Sequence, residues 1–181
     1  MKRLGIIDAA FINMENPTVP QQIGSLGIYD PSTAPGGFVR FKDVLASFER
    51  RLQRLPLFRT RLVEVPFGLD RPYWVLDPAF DVEFHIRHIA LPHPGDWRQL
   101  CIQVARLHAR PLDMSRPLWE VYAIEGVDRI PGLPKGSFAV YVKMHHSLVD
   151  GAGGQNFMAA IHDLEPVPRK EEPLLPVKSQ F

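Results

Sequence analysis

With one cysteine in 181 residues, Cys101, the chain can form neither an intramolecular disulfide nor a cysteine-based zinc centre. A lone thiol fits a reducing compartment. Charge of one sign is also missing: 21 Lys and Arg against 20 Asp and Glu leave a net charge of +1, without the basic excess of a nucleic-acid-binding module. No apolar run approaches the roughly 20 residues of a membrane-spanning helix. Asp8, Asn13 and Glu15 interrupt any signal-peptide core behind Lys2 and Arg3. These absences lead to a globular, cytoplasmic protein. Hydrophobic residues at 45% and charged residues at 23% suffice for one full core. Proline is plentiful, at 18 residues, about twice its ordinary share.

The residue pattern predicts mixed α and β structure. Gln21 to Asp30 reads as a strand entering a turn, with Pro31 to Gly37 as the loop. Phe41, Val44, Leu45, Phe48, Leu52 and Leu55 recur at helical spacing until Pro56. Strands are expected over Arg59 to Val65, Pro72 to Asp77 and Val82 to Leu91. A helix capped by Asp96 would bury Trp97, Leu100, Cys101, Val104 and Leu107. Strands over Leu118 to Val127 and Gly136 to His146 follow, then a helix with Phe157, Ala160, Ile161 and Leu164 on one face. From Glu165 onward the text is proline-rich and without period, which predicts a linker over 165–181 after a domain spanning 1–164.

The chemically informative segment is KMHHSLVDGAGG, Lys143 to Gly154, where a buried strand meets a glycine-rich turn. Strand alternation sends Val140, Val142, Met144 and His146 to one face and Ala139, Tyr141, Lys143 and His145 to the other. His146 then sits among apolar residues, where burial keeps an imidazole neutral, the form a general base needs. Asp150 could orient the ring or brace the loop through an arginine, and Gly151 lets the backbone approach a ligand. The plain alternative is a surface pair, or one core histidine beside an exposed one. No third ligand at metal spacing accompanies the pair. Ser147 lacks the G-x-S-x-G turn of a serine nucleophile.

HHSLVDG resembles the HHxxxDG signature of CoA-dependent acyltransferases, shared by chloramphenicol acetyltransferase-like enzymes, plant acyltransferases and nonribosomal peptide condensation domains. Three further segments narrow the resemblance. PLDMSRPLWEVYAIEG (Pro111 to Gly126), FDVEFHIRHIALPHPG (Phe80 to Gly95) and IIDAAFINMENPTVPQQIGSLGIYD (Ile6 to Asp30) are similar, in order, to blocks of the bacterial wax ester synthase/diacylglycerol acyltransferase family. The resemblance implies an α/β (α+β) chloramphenicol acetyltransferase-like lobe, a mixed sheet flanked by helices. It implies the N-terminal lobe of two, with the C-terminal lobe absent from this sequence and the isolated chain inactive. It also implies that His146 is the general base for acyl transfer from acyl-CoA to a lipid alcohol or diacylglycerol, with His145 supporting and Asp150 bracing the loop. No bound cofactor or metal is implied. A membrane or lipid-droplet surface, or self-association, would cover the apolar face. Two other functions stay open: a carrier-dependent condensation-type transferase, and a non-catalytic lipid-binding or interaction module.

The remaining features have simpler expectations. Trp119 is a core residue or, in the sharper reading, part of the substrate wall beside Gly151. Arg116 is a solvated charge or the partner of Asp150. His85 and His88, on a strand, would point to opposite faces. His108 and His162 read as surface histidines, Cys101 as buried. Arg50, Arg51, Arg54, Arg59 and Arg61 form a solvated face or a contact for phosphates.

Overall fold

The computed structural model describes residues 1–148 and 157–163. Asp150, Gly151 and the 165–181 segment lie outside the described residues. The elements are β1 (Lys2–Arg3), α1 (Ile6–Met14), β2 (Gln22–Tyr29), α2 (Phe41–Leu52), β3 (Thr60–Val63) and β4 (Tyr73–Leu76). They continue with α3 (Val82–His85), β5 (Ile86–Ala90), α4 (Trp97–Ala109), β6 (Trp119–Glu125) and β7 (Phe138–His145). Residues 157–161 are helical.

A four-stranded sheet in the order β2-β7-β6-β5 organises the molecule, antiparallel except where β5 runs parallel to β6. A smaller antiparallel sheet, β1-β4-β3, stands apart. Alternation sorts the large sheet into two cores. Val121, Val140, Val142 and Met144 join Phe48, Leu52, Phe58 and Phe157 on one side. Tyr122, Ile124, Ala139 and Tyr141 join Leu100 and Leu107 of α4 on the other. Burial on both faces explains why β6 and β7 read as nearly continuous apolar runs rather than as clean alternation.

The exception is a charged pair. Glu120 and Lys143 are register partners on β6 and β7. Lys143 Nζ reaches Glu120 Oε2 at 3.0 Å and the carbonyls of Leu107 and Arg110, at the end of α4, at 3.1 and 3.0 Å. The ammonium thus satisfies helix-end carbonyls that lack an intrahelical donor. Tyr122 donates to the same carboxylate at 2.8 Å, and burial with that hydrogen bond pushes its phenol up to about 12.

Several expectations need correction. The strand expected over Val82 to Leu91 begins only at Ile86, because Asp81 caps a single helical turn by accepting the Glu83 N–H at 2.9 Å. His85 therefore enters the core from a helical turn. Its Nδ1–H donates to the Trp119 carbonyl at 2.7 Å, and its ring stacks on the indole at 4.6 Å. Burial lowers its pKa. His88 stands elsewhere, stacked on Phe41 and 2.8 Å from Glu125. On α4, Leu100 and Leu107 alone are fully buried, so the seam is narrower than the predicted face and leaves Trp97 and Cys101 exposed. Asp96 does cap α4, accepting from Gln99 N at 2.7 Å. His108 and His162 are half-buried rather than on the surface, lying 2.6 and 2.5 Å from the hydroxyls of Tyr141 and Tyr29.

Candidate active site

The two adjacent histidines sit where β7 ends. His145 is the last strand residue and His146 opens a 3₁₀ turn, His146–Leu148. Pairing fixes both backbones. The His145 N–H donates to Leu118 O at 2.9 Å, and the His146 N–H donates to Gln21 O at 2.8 Å. Gln22, the next residue, is His145's register partner on β2.

Strand alternation placed the rings only in part. His145, expected on the more polar face, is the fully buried one, and His146 is half-buried. The chain leaves the strand at His146, so the period of two no longer sets that side chain's depth.

His145 is held at both ring nitrogens. Ser147 brings its backbone N–H to Nδ1 at 3.0 Å and its hydroxyl to 2.7 Å. An N–H pointing at Nδ1 requires a lone pair there, so the neutral ring carries its proton on Nε2. That nitrogen faces Glu15 Oε2 at 3.3 Å, off the line of a hydrogen bond, so the approach is electrostatic rather than a directed bond. Burial lowers the His145 pKa; Glu15 opposes the shift and His146 adds to it. The ring is neutral near pH 7.

His146 is held by its face. Phe11 of α1 stacks on it with centroids 4.1 Å apart and planes 13° apart. Its Nδ1 is buried and has no hydrogen-bond partner among the described residues. A buried polar atom left unpaired costs about 1–3 kcal/mol, and such atoms are rare enough in folded proteins to mark functional positions.

Helix α1 supplies contacts the sequence reading missed. Phe11 and Glu15 are one turn apart and face the histidines, whereas Ala9, Ile12 and Asn13 face a cavity of about 700 Å³ against the 64–72 loop. That cavity is lined by neither histidine, and the helix separates the two places. The signal for these residues was present as an Asp8-x-x-Phe11 pattern followed by an acidic residue, but it carried no period that announced a helix.

Trp119 is fully buried, and its indole N–H donates to Phe58 O at 2.7 Å. It reaches no accessible surface here, which makes it a packing residue rather than a wall. Arg116 lies 4.0 Å over the Phe84 ring and 3.6 Å from Asp113; its expected partner Asp150 lies outside the described residues, as does Gly151. Arg51 of the basic cluster donates to Ala160 O at 2.9 Å and pairs with Asp163 at 2.5 Å, fastening the 157–163 segment to α2. Among the described residues no three metal-ligating side chains converge, and no helix is long and apolar enough to cross a membrane.

Residues 4–179 match the wax ester synthase/diacylglycerol acyltransferase catalytic domain. A probable diacylglycerol O-acyltransferase of Mycobacterium tuberculosis is 41% identical over 149 residues, covering 82% of this chain and 52% of the relative. A second, putative one from the same organism is 34% identical over 186 residues, covering 99% of this chain and 38% of the relative. The solved wax ester synthase/diacylglycerol acyltransferase of Marinobacter aquaeolei superposes with a TM-score of 0.65 at 34% identity, over 87% of this chain and 37% of that one. A condensation domain of the calcium-dependent antibiotic synthetase superposes with a TM-score of 0.66 at 19% identity, a likeness of fold alone, covering 89% of this chain and 36% of the other. The chain thus spans about half or less of the length of these proteins.

Proposed function

The chain belongs to the wax ester synthase/diacylglycerol acyltransferase family, and we propose that it supplies the base-bearing lobe of an O-acyltransferase acting on acyl-CoA and a lipid hydroxyl. The observation that carries this reading is His146: a ring clamped flat by Phe11, with a buried and unpaired Nδ1, at the start of the HHSLVDG turn. His145 is unsuited to the same task, since both of its nitrogens already face partners.

In the proposed reaction the neutral His146 imidazole removes the proton from the acceptor hydroxyl as its oxygen attacks the thioester carbonyl carbon. The tetrahedral oxyanion collapses, the carbon–sulfur bond breaks, and the imidazolium returns the proton to the departing thiolate of coenzyme A. No acyl-enzyme forms and no metal or bound cofactor takes part. General-base assistance of this kind is worth about 10²–10⁴-fold. The products are triacylglycerol from diacylglycerol and wax ester from a long-chain alcohol.

Asp150 braces the HHSLVDG loop in this proposal, and Gly151 lets it turn beside the substrate. Residues 1–164 act as one lobe, 165–181 as a linker, and a second lobe furnishes the opposite wall and the oxyanion donor. Lipid substrates favour work at a membrane or lipid-droplet surface. The test is release of free coenzyme A from a long-chain acyl-CoA, with diacylglycerol or hexadecanol as acceptor. The chain is assayed alone and together with the segment its relatives carry beyond it. Transfer by the pair and none by the chain alone is expected; turnover by the chain alone, or none by the pair, overturns the proposal.

A further inference from the structure

The end of α1 meets the histidine turn through one carboxylate oxygen. Glu15 Oε2 accepts the backbone N–H of Gln21 and lies 3.3 Å from His145 Nε2. Each contact leads on to a neighbour of the His146 ring. Through Gln21, whose carbonyl accepts the His146 N–H at 2.8 Å, the carboxylate fixes the strand that holds the His146 backbone. Through His145, whose Nδ1 accepts the Ser147 N–H at 3.0 Å, it fixes the residue on the other side. His146 is therefore held from its own amide and from the following residue, and both constraints start at Glu15.

We propose that Glu15 is a positioning residue for acyl transfer: its side chain keeps the His145 proton on Nε2 and so locks the His145–Ser147 turn that presents His146. The inference rests on the transferase reading of His146 but concerns a residue outside the HHSLVDG segment. The alternative tautomer, with a proton on Nδ1, would set two N–H groups against each other at Ser147 and leave Nε2 as a lone pair facing a carboxylate. Both are repulsive, so the carboxylate and the turn favour the same state. Outer partners that orient a functional imidazole in metal sites typically change activity 10–100-fold when removed, which sets the scale expected here.

The charged or titratable groups acting on His145 are Glu15 from the end of α1 and His146 beside it in the chain. Substituting Glu15 by Gln preserves an oxygen able to accept both N–H groups and removes only the charge; Ala removes both.

The experiment combines imidazole ¹⁵N spectra of the full chain with kinetics of the complete two-lobed enzyme. Wild type and Glu15→Gln are expected to show His145 as the Nε2–H tautomer, with His145 titrating at lower pH in Glu15→Gln. Glu15→Ala is expected to show mixed or exchanging tautomers. Its kcat should fall about 10–100-fold at unchanged KM for acyl-CoA, and Glu15→Gln should recover most of it. The proposal is overturned if folded Glu15→Ala keeps the wild-type tautomer and rate, or if Glu15→Gln leaves the His145 titration unmoved. If Glu15→Ala fails to fold, the Glu15→Gln titration decides alone. Absence of transfer by the wild-type enzyme counts against the transferase reading only, because the tautomer is read without turnover.

Discussion

Phe11 lies flat on the imidazole of His146, ring centroids 4.1 Å apart. A residue near the N-terminus thus sets the orientation of one at the far end of β7. Stacked aromatic pairs contribute about 0.5–1.5 kcal/mol beyond the area they bury. Phe11→Leu keeps the apolar volume but removes the stack, and should lower kcat about three- to tenfold with a small change in thermal midpoint. An unchanged kcat would show that the ring is held by other contacts.

The two histidines should separate under substitution. In a complete two-lobed enzyme, His146→Ala is expected to reduce turnover by about 10²–10⁴-fold while the protein stays folded. His145→Ala removes a buried ring that bridges Glu15 and Ser147, so it should lower the melting temperature and leave more activity than His146→Ala does. Equal kinetic losses, or turnover surviving without His146, would sink the assignment.

Asp150→Asn tests the brace. A loop-bracing carboxylate predicts a lower melting temperature together with lower activity. A stable protein with a defect confined to the chemical step would instead mean a direct action on His146.

Acid should destabilise the fold through its buried histidines. Burial lowers the pKa of both His85 and His145 below the ordinary imidazole value near 6.5. Between that value and each lowered one, the unfolded chain binds more protons than the folded chain, so stability rises with pH through this window. The contribution is complete above about pH 7 and is lost as pH falls below about 6.5. Melting temperatures measured from about pH 7.5 to 5.5 should drop, and His85→Gln, which keeps a donor for the Trp119 carbonyl, should flatten the slope. A wild-type melting temperature constant over that range contradicts the prediction.

The buried pair on β6 and β7 gives a stability test remote from the chemistry. Lys143→Met leaves Glu120 with Tyr122 and with Arg87 at 3.6 Å but without its cross-strand cation. Losing one member of a buried pair costs about 3–5 kcal/mol. Denaturant titration should show that loss, with part of it recovered in Lys143→Met/Glu120→Leu, where no carboxylate remains to be satisfied. A cost below about 1 kcal/mol, the range of exposed pairs, would mean that solvent reaches the site.

What the sequence determined by itself was local. Apolar spacing located α2, Asp96 and the run behind it located α4, and two apolar segments located β6 and β7. Short-range rules suffice for these because each depends on neighbours within a few residues. The motif HHSLVDG marked the functional turn in the same way. The tertiary structure decided what depends on distant partners. Asp81 turned the start of an apparent strand into a helical turn that buries His85 against Trp119. The narrow seam of α4 left Cys101 exposed. Departure from β7 at His146 reversed the expected depths of the two histidines. Phe11 and Glu15 carry no periodic signal that ties them to residues more than 130 positions later. Only the packing of α1 against the end of β7 brings an aromatic face and a carboxylate to those rings, and no rule of spacing encodes that contact.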